Sequence, residues 1–407
     1  MKCRHCCIEL SHTFLDLGFA PPSNAYRSVD DLSKAELYYP LRLKVCGSCW
    51  LVQTEDYTCA RELFSAEYAY FSSISQSWLK HAACYSAMIT DRLHLSSNSF
   101  VVEIASNDGY LLKNFLENKI PCLGIEPTAG TAQAAEAIGI PVLRDFFGFN
   151  LGSQLAKSGR QADLIIGNNV YAHVPDVNDF TAGLKILLKQ GGVITLEFPH
   201  LMKLIEGVQF DTVYHEHFSY FSLRTVCEIF ARFGLRIFDV EELSTHGGSL
   251  RVYGCHQDDI MIDTESVARI IDSERLAGLF ILDTYLLFQE QVNFLKNNFL
   301  RFLLESKSEG KKIAAYGAAA KGNTLLNYAG VRGDLLPFIC DAALSKQGKL
   351  LPGSHIPILA TDVLKSLRPD LIIVCPWNLM HEITEQLSYV REWGGRFVRA
   401  VPTLEMW

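Results

Sequence analysis

From Phe100 onward the chain repeats one pattern: a short apolar run, a turn, then a helix-patterned stretch. The runs are VVEIAS (101–106), PCLGIEP (121–127), IPVLRD (140–145), ADLIIGNN (162–169) and GGVITLEFP (191–199). Runs so short and so apolar suit strands buried on both faces. Their alternation with helices predicts an α/β fold, a parallel sheet covered on both sides. Ligands of such sheets sit beyond the carboxyl ends of the strands, so the loops after the runs become the places to look for chemistry. A second α/β pattern starts at KKIAAYG (311–317) and continues through LLPFICD, LIIVCPW and RFVRAVP. Between the two, residues 264–308 read as a long helical connector, with Val267, Ile270 and Ile271 at i, i+3, i+4 spacing.

A chain of 407 residues exceeds what one hydrophobic core supports. Three domains are expected: a small zinc-binding domain over 1–70, the main parallel-sheet domain with its connector over 71–300, and a second Rossmann-like domain over 301–407. Hydrophobic residues at 49% and charged residues at 20% describe a globular protein. No run approaches eighteen apolar residues, which argues against a membrane span. MKCRHCCIEL lacks the apolar core of a secretory signal, so a cytoplasmic location is expected. A net charge of -8 argues against a nucleic-acid partner, which needs clustered Lys and Arg. The chain is expected to act as a monomer.

Twelve cysteines in a reducing compartment are thiols and metal ligands rather than disulfides. Cys3-x-x-Cys6 and Cys46-x-x-Cys49 form two knuckles whose four sulfurs can converge on one zinc ion, with Cys7 and His5 as spare donors. Four protein ligands leave no open position, so the predicted zinc role is structural.

The first strand, VVEI, runs into the turn Ala105-Ser106-Asn107-Asp108-Gly109, and Glu126 ends the second strand 17 residues after Gly109. An acid at that place can accept both ribose hydroxyls of a nucleoside. The turn is not G-x-G-x-x-G: it has Gly109 alone, with Ala105 where a glycine is usual. A dinucleotide pyrophosphate needs a glycine-lined helix start. A loop carrying Glu103 and Asp108 suits a cationic nucleoside better, and S-adenosylmethionine fits that description. Asp145, after the third strand, is placed to meet adenine, and Asn168-Asn169, after the fourth, lie beside the reacting centre.

Tyr214-His215-Glu216-His217 follows the fifth strand, and His173 follows the fourth. Adjacent side chains diverge and no His-x-x-x-His spacing is present, so a metal site is disfavoured. Several ionisable groups at one sheet edge suit proton transfer, for which a histidine is the natural base. Spacing does not say which histidine faces inward.

Gly317 to Thr324, GAAAKGNT, is another strand–turn–helix junction. Asn323 stands where a phosphate-binding loop needs lysine, which disfavours ATP chemistry. Asp341, ending the next strand, imitates a nicotinamide site, although the middle glycine is missing. Lys321 at the helix start is a fair anion contact. Two uses stay open here: part of a nucleotide-sugar site, or structure alone.

Taken together, the paired knuckles, AEYAYFSSISQSW (66–78), EIASNDGYLL, GIEP, NNVYAHVPD, YHEHFSYFS, THGGSLRVY, GAAAKGNTLLNY and KQGKLLPGSHIPI resemble the nucleotide-sugar 3-C-methyltransferases of branched deoxysugar pathways. The resemblance spans nearly the whole chain and departs at Ala105. It implies a class I methyltransferase Rossmann-like domain between the zinc-binding and C-terminal domains, and S-adenosylmethionine as cofactor. The implied substrate is a nucleotide-linked 4-keto-6-deoxy sugar. It implies His217 as base, with Glu216, Tyr214, His173 and Tyr68 around the sugar. Glu103, Ala105, Asn107, Asp108, Gly109, Glu126, Asp145, Asn168 and Asn169 then belong to the cofactor site. Tyr70, Arg251, Lys321 and Asn323 become the expected substrate contacts. The runner-up is a nicotinamide-dependent sugar oxidoreductase using the C-terminal loop; a third reading is a zinc-bearing binding module.

Overall fold

The computed structural model describes residues 1–57 and 71–407, and three sheets organise them. The first is a small antiparallel sheet of His12–Ala20, Tyr39–Val45 and Val52–Thr54, completed by Ser219–Tyr220 from far along the chain. The second has seven strands in the order Leu235–Leu243, Ser249–His256, Leu188–Pro199, Ala162–Asn168, Val101–Ile104, Cys122–Ile125, Val142–Leu143. Within it, Ser249–His256 runs antiparallel to both neighbours and the other strands are parallel. The third has the order Ile358–Leu359, Ile339–Cys340, Ile313–Tyr316, Leu371–Val374, Arg396–Arg399, Glu405–Met406, parallel except at its last pair.

The central sheet was legible because its middle strands are buried on both faces: Val101, Val102, Leu164, Ile165, Ile166 and Ile194 are all inaccessible. The chain leaves Val101–Ile104 toward one edge and returns beyond it at Ala162–Asn168. That reversal opens a crevice between the carboxyl ends of these two strands. The loops 105–109 and 168–169 flank it.

Packing ties the sheets together. The knuckle cysteines share a core cluster with Val102, Ile165, Ile194 and the helix Leu223–Arg232. Phe14, Leu43 and Val52 of the small sheet instead join the helix Phe288–Ser308 and the third sheet. Phe14 stacks on Phe288 with ring centroids 4.7 Å apart. The small sheet therefore bridges the two α/β layers. No helix among the described residues is long and apolar enough to cross a membrane.

Candidate functional site

The two knuckles repeat one backbone design. Cys7 N–H donates to the Cys3 carbonyl and Trp50 N–H to the Cys46 carbonyl, and both Cys7 (φ 64) and Trp50 (φ 59) turn left-handed just past the second cysteine. The four sulfurs of Cys3, Cys6, Cys46 and Cys49 lie within 4.8 Å of one another. Cys3–Cys49 and Cys6–Cys46 are each 3.5 Å apart. Four sulfurs ~2.3 Å from a tetrahedral ion stand roughly 3.8 Å from each other, so the set fits zinc. The spare donors are not part of it: Cys7 is exposed, and the His5 ring bonds Asn178 at 3.0 Å. Gln53 Nε2 lies 3.4 Å from Cys3 Sγ, an outer contact that suits a thiolate.

In the crevice, Ala105 (φ 56), Asn107 (φ 50) and Gly109 (φ 78) bend the chain sharply after the first strand. A Cβ on Gly109 would meet Ile140 Cδ1 at 2.3 Å, so glycine is required there. Glu126 Oε2 accepts the Asn107 N–H and its Oε1 the Thr128 N–H, each at 2.9 Å. The residues just after position 70 close over this turn, Ser72 N–H donating to Asn107 Oδ1 and Ser73 N–H to Asp108 Oδ2. Several buried polar atoms nearby have no partner among the described residues: Glu103 Oε2, Ser106 Oγ, Asp108 Oδ1 and both amide atoms of Asn168. Buried atoms of this kind are rarely left unpaired unless a ligand or water completes them. Burial, with Glu126 and Asp108 adding repulsion, pushes the Glu103 carboxyl well above its ordinary range. A bound cation relieves that repulsion, so the donor set fits the ammonium and sulfonium of S-adenosylmethionine. Asp145 is exposed, its Oδ1 accepting the Phe146 N–H at 2.8 Å.

Across the crevice, the segment 211–217 gathers groups from all three sheets. His217 and His173 stand 4.6 Å apart by ring centroid, with Tyr214 at 4.1 Å and Tyr220 at 5.7 Å from His217. His217 Nδ1–H donates to the Thr212 carbonyl at 3.1 Å, and His173 Nδ1–H to the Glu216 carbonyl at 2.7 Å. Carbonyls accept only, so each ring carries its proton on Nδ1 and keeps the Nε2 lone pair. Burial holds both neutral, His217 well below the ordinary histidine range and His173 down to about 4. His215 turns the other way, toward Tyr39 at 6.0 Å. Glu216 Oε1 accepts from Asn24 Nδ2 at 3.0 Å, its Oε2 has no partner among the described residues, and burial raises its pKa.

The third sheet contributes Lys321, at the start of the helix Ala320–Ala329. Its Nζ donates to Asn378 Oδ1 at 2.9 Å and lies 4.4 Å over the Trp377 ring. Burial lowers it to about 8, opposed by nearby Asp211. Trp377 Nε1–H donates to Asp211 Oδ2 at 2.7 Å, and Thr324 Oγ donates to the Val213 carbonyl at 2.8 Å. Asn323 Oδ1 accepts from Asn327 Nδ2 at 3.1 Å within the same helix. Arg251, expected to contact substrate, is instead buried and committed to carboxylates: Nη2 to Glu197 at 2.9 Å and Nη1 to Glu241 at 3.0 Å. It braces the sheet edge. Tyr68 and Tyr70 lie outside the described residues.

Three groups escaped the sequence reading. Asn24 and Asp211 carry no local signal, since their importance comes from partners 192 and 166 residues away. His246 does carry one, a histidine before Gly247-Gly248, a composition that favours left-handed backbone; its φ is 54.

Family models match three consecutive parts of the chain. "Putative zinc binding domain" covers residues 3–64, "Methyltransferase domain" 78–240 and "C-methyltransferase C-terminal domain" 244–402. The curated C-methyltransferase NovU of Streptomyces niveus is 30% identical over 98% of this chain and 95% of its own length. Among solved structures, magnesium protoporphyrin IX methyltransferase of Synechocystis PCC 6803 aligns at 14% identity over 44% of this chain and 79% of its own (TM-score 0.34). A methyltransferase from Clostridium acetobutylicum aligns at 11% over 44% and 92% (TM-score 0.35). Likenesses at such scores carry no weight beside the full-length relative.

Proposed function

The chain belongs to the S-adenosylmethionine-dependent C-methyltransferases, and from that premise we propose that it methylates C3 of a nucleotide-linked 4-keto-6-deoxy sugar. S-adenosylmethionine supplies an electrophilic methyl group on a sulfonium; Glu103, Asp108, Glu126 and Asn168 would hold it. The remaining task of a C-methyltransferase is to make carbon nucleophilic. A ketone does this at the adjacent carbon, because loss of that proton leaves an enolate.

The observation that carries the reading is the His217 ring. Its Nδ1–H is tied to the Thr212 carbonyl, so Nε2 keeps its lone pair among Tyr214, His173 and Tyr220. Burial keeps the ring neutral, and a neutral imidazole can take a proton. His173 stands edge-on to it, and Glu216 and Tyr214 offer hydrogen bonds to a sugar. Lys321 offers a positive charge from the opposite layer for an anionic part of the substrate. The nucleotide-linked sugar is the substrate class that the full-length motif resemblance implies. A nicotinamide site in the third sheet is disfavoured: its turn lacks the middle glycine, and Lys346 and the Tyr26 hydroxyl already donate to the Ala318 carbonyl there at 3.0 and 2.6 Å.

The test supplies dTDP- and GDP-linked 4-keto-6-deoxyhexoses with methyl-labelled S-adenosylmethionine. Label should enter the sugar at C3, and failure with every keto sugar overturns the substrate class. His217→Ala should lower turnover about 10²–10⁴-fold with cofactor affinity intact, and His215→Ala much less.

A further inference from the structure

The burial that keeps His217 neutral also makes it a weak base. A weak base can enolise a ketone only if the ketone oxygen is stabilised as charge develops on it. The carbon-acid reading therefore requires a hydrogen-bond donor aimed at that oxygen.

His246 has the properties of that donor. It is a non-glycine residue in the left-handed region (φ 54, ψ 20), a conformation that needs support from its surroundings. Four contacts provide it. The Thr245 hydroxyl donates to Glu197 Oε1 at 2.9 Å, and the Thr245 carbonyl accepts the Gly248 N–H at 2.9 Å. Gln209 Nε2 donates to the Gly247 carbonyl at 2.8 Å. From the C-terminal layer, Trp377 packs so tightly on Gly247 that a Cβ there would stand 2.3 Å from the indole. The imidazole itself lies 5.4 Å from the Trp78 ring and 3.3 Å from Asn169 Nδ2 through Nε2.

The Asn169 amide, as oriented with its Nδ2 toward the ring and its Oδ1 unpartnered among the described residues, assigns the tautomer. Nδ2 can only donate, so His246 Nε2 accepts and its proton sits on Nδ1. Asn169 is itself held by its N–H to the Glu197 carbonyl at 2.7 Å. Trp377, packed on Gly247, also lies 4.4 Å under Lys321 Nζ, and the Asn169 contact sets the ring next to Asn168 at the cofactor crevice, so the loop of His246 joins the Lys321 side of the site to the cofactor side. Burial and Lys321 keep it neutral, down to about 4. A neutral imidazole donates one N–H in a fixed direction and does not itself lose that proton.

We propose that His246, as a neutral imidazole, is the catalytic residue that donates a hydrogen bond through Nδ1 to the substrate oxygen as it becomes an enolate. The C3–H bond breaks, its proton goes to His217 Nε2 and its electron pair moves onto the C4 oxygen, where the His246 N–H and the Lys321 charge meet it. This role rests on the carbon-acid reading given above.

The test separates the two. Deuterium exchange at C3 of the 4-keto sugar is followed with S-adenosylhomocysteine bound, in wild type, His217→Ala, His246→Gly and His246→Asn. Glycine fits the left-handed backbone without a side chain; asparagine fits it and keeps an N–H donor. His246→Gly should exchange about 10²–10³-fold more slowly, with S-adenosylhomocysteine affinity and melting temperature near wild type, and His246→Asn should recover part of the loss. Exchange by His246→Gly within about twofold of wild type overturns the donor role while leaving His217 untouched. So does a matching loss of S-adenosylhomocysteine affinity, which would make His246 a cofactor-site support, or an equal loss in both variants. Wild type that does not exchange brings down the carbon-acid reading, and this inference with it.

Discussion

Two loops of this chain share a backbone plan and end in opposite states: 105–109 in the central sheet and 317–322 in the C-terminal one. Each follows a buried strand and turns on a left-handed glycine, Gly109 (φ 78) or Gly317 (φ 88), where a Cβ would meet a neighbour at 2.3 Å. In each, the acid ending the next strand accepts a backbone N–H of the loop, Glu126 from Asn107 at 2.9 Å and Asp341 from Ala318 at 2.8 Å. The difference lies in what is left over. The first loop keeps Glu103 Oε2, Ser106 Oγ and Asp108 Oδ1 buried without partners among the described residues. At the second, Lys346 and Tyr26 both donate to the Ala318 carbonyl, and Asp341 Oδ1 accepts the Ala343 N–H. The same motif suits a receptor where buried polar groups lack partners among the described residues, and a strut where the protein has satisfied them. In the proposed reaction the C-terminal layer contributes Lys321, beside its strut rather than inside it.

The largest perturbation should come from the knuckle, because its cysteines share a core with the receptor sheet and not with the strut sheet. Cys46→Ser should release the zinc and forfeit a share of the roughly 10–16 kcal/mol that structural zinc contributes. Elemental analysis with hydrogen exchange checks this: protection should fall around 101–104 and 162–168 before it falls around 371–374. Equal loss in both sheets would dissolve the distinction.

Next in size, the two acids should behave differently. Glu126→Ala should weaken S-adenosylmethionine binding by about 1.5–3 kcal/mol, the value of charge-assisted hydrogen bonds. Asp341→Ala should leave that affinity alone, while both variants cost about 1–3 kcal/mol of stability, because each strands two backbone N–H groups. Calorimetry and denaturant unfolding on both variants decide it. Loss of cofactor affinity in Asp341→Ala would mean that the second loop is a receptor too.

A smaller effect follows from pH. The Glu103 carboxyl is raised in the free protein by burial and by its acidic neighbours, and a bound cation favours its ionised form. Cofactor binding should therefore release protons and weaken as pH falls through the raised range of this carboxyl. Titration in buffers of different ionisation enthalpy measures the release, which should vanish in Glu103→Gln.

The smallest change expected is Ala105→Gly. Ala105 has φ 56, a conformation that costs a non-glycine residue about 1–2 kcal/mol. Glycine's greater freedom in the unfolded chain returns about 0.5–1 kcal/mol of that. The net gain in unfolding free energy should stay below about 1 kcal/mol, and a loss would mean that the alanine methyl makes a contact the receptor needs.

What the sequence determined alone were features written in neighbouring residues. Two Cys-x-x-Cys turns make a thiolate site wherever the chain brings them together. VVEI followed by Gly109, and LGI followed by Glu126, state a strand, a turn and an acid at its carboxyl end within a few tens of residues. Burial on both faces makes such strands apolar throughout, which is why the central sheet could be read. What only the tertiary structure decided were matters of direction and long-range pairing. His215 and His217 are two residues apart, yet one faces Tyr39 and the other His173, because the segment between the layers is anchored by Trp377 on Asp211 and Thr324 on Val213. Arg251 belongs to a motif that implied substrate contact, but the closing strand Ser249–His256 places it against Glu197. Asn24 reaches Glu216, and Trp377 beneath Lys321 reaches Asp211, only because three sheets meet there. A side chain's chemistry is local, but the partner that directs it is chosen by packing between segments more than a hundred residues apart.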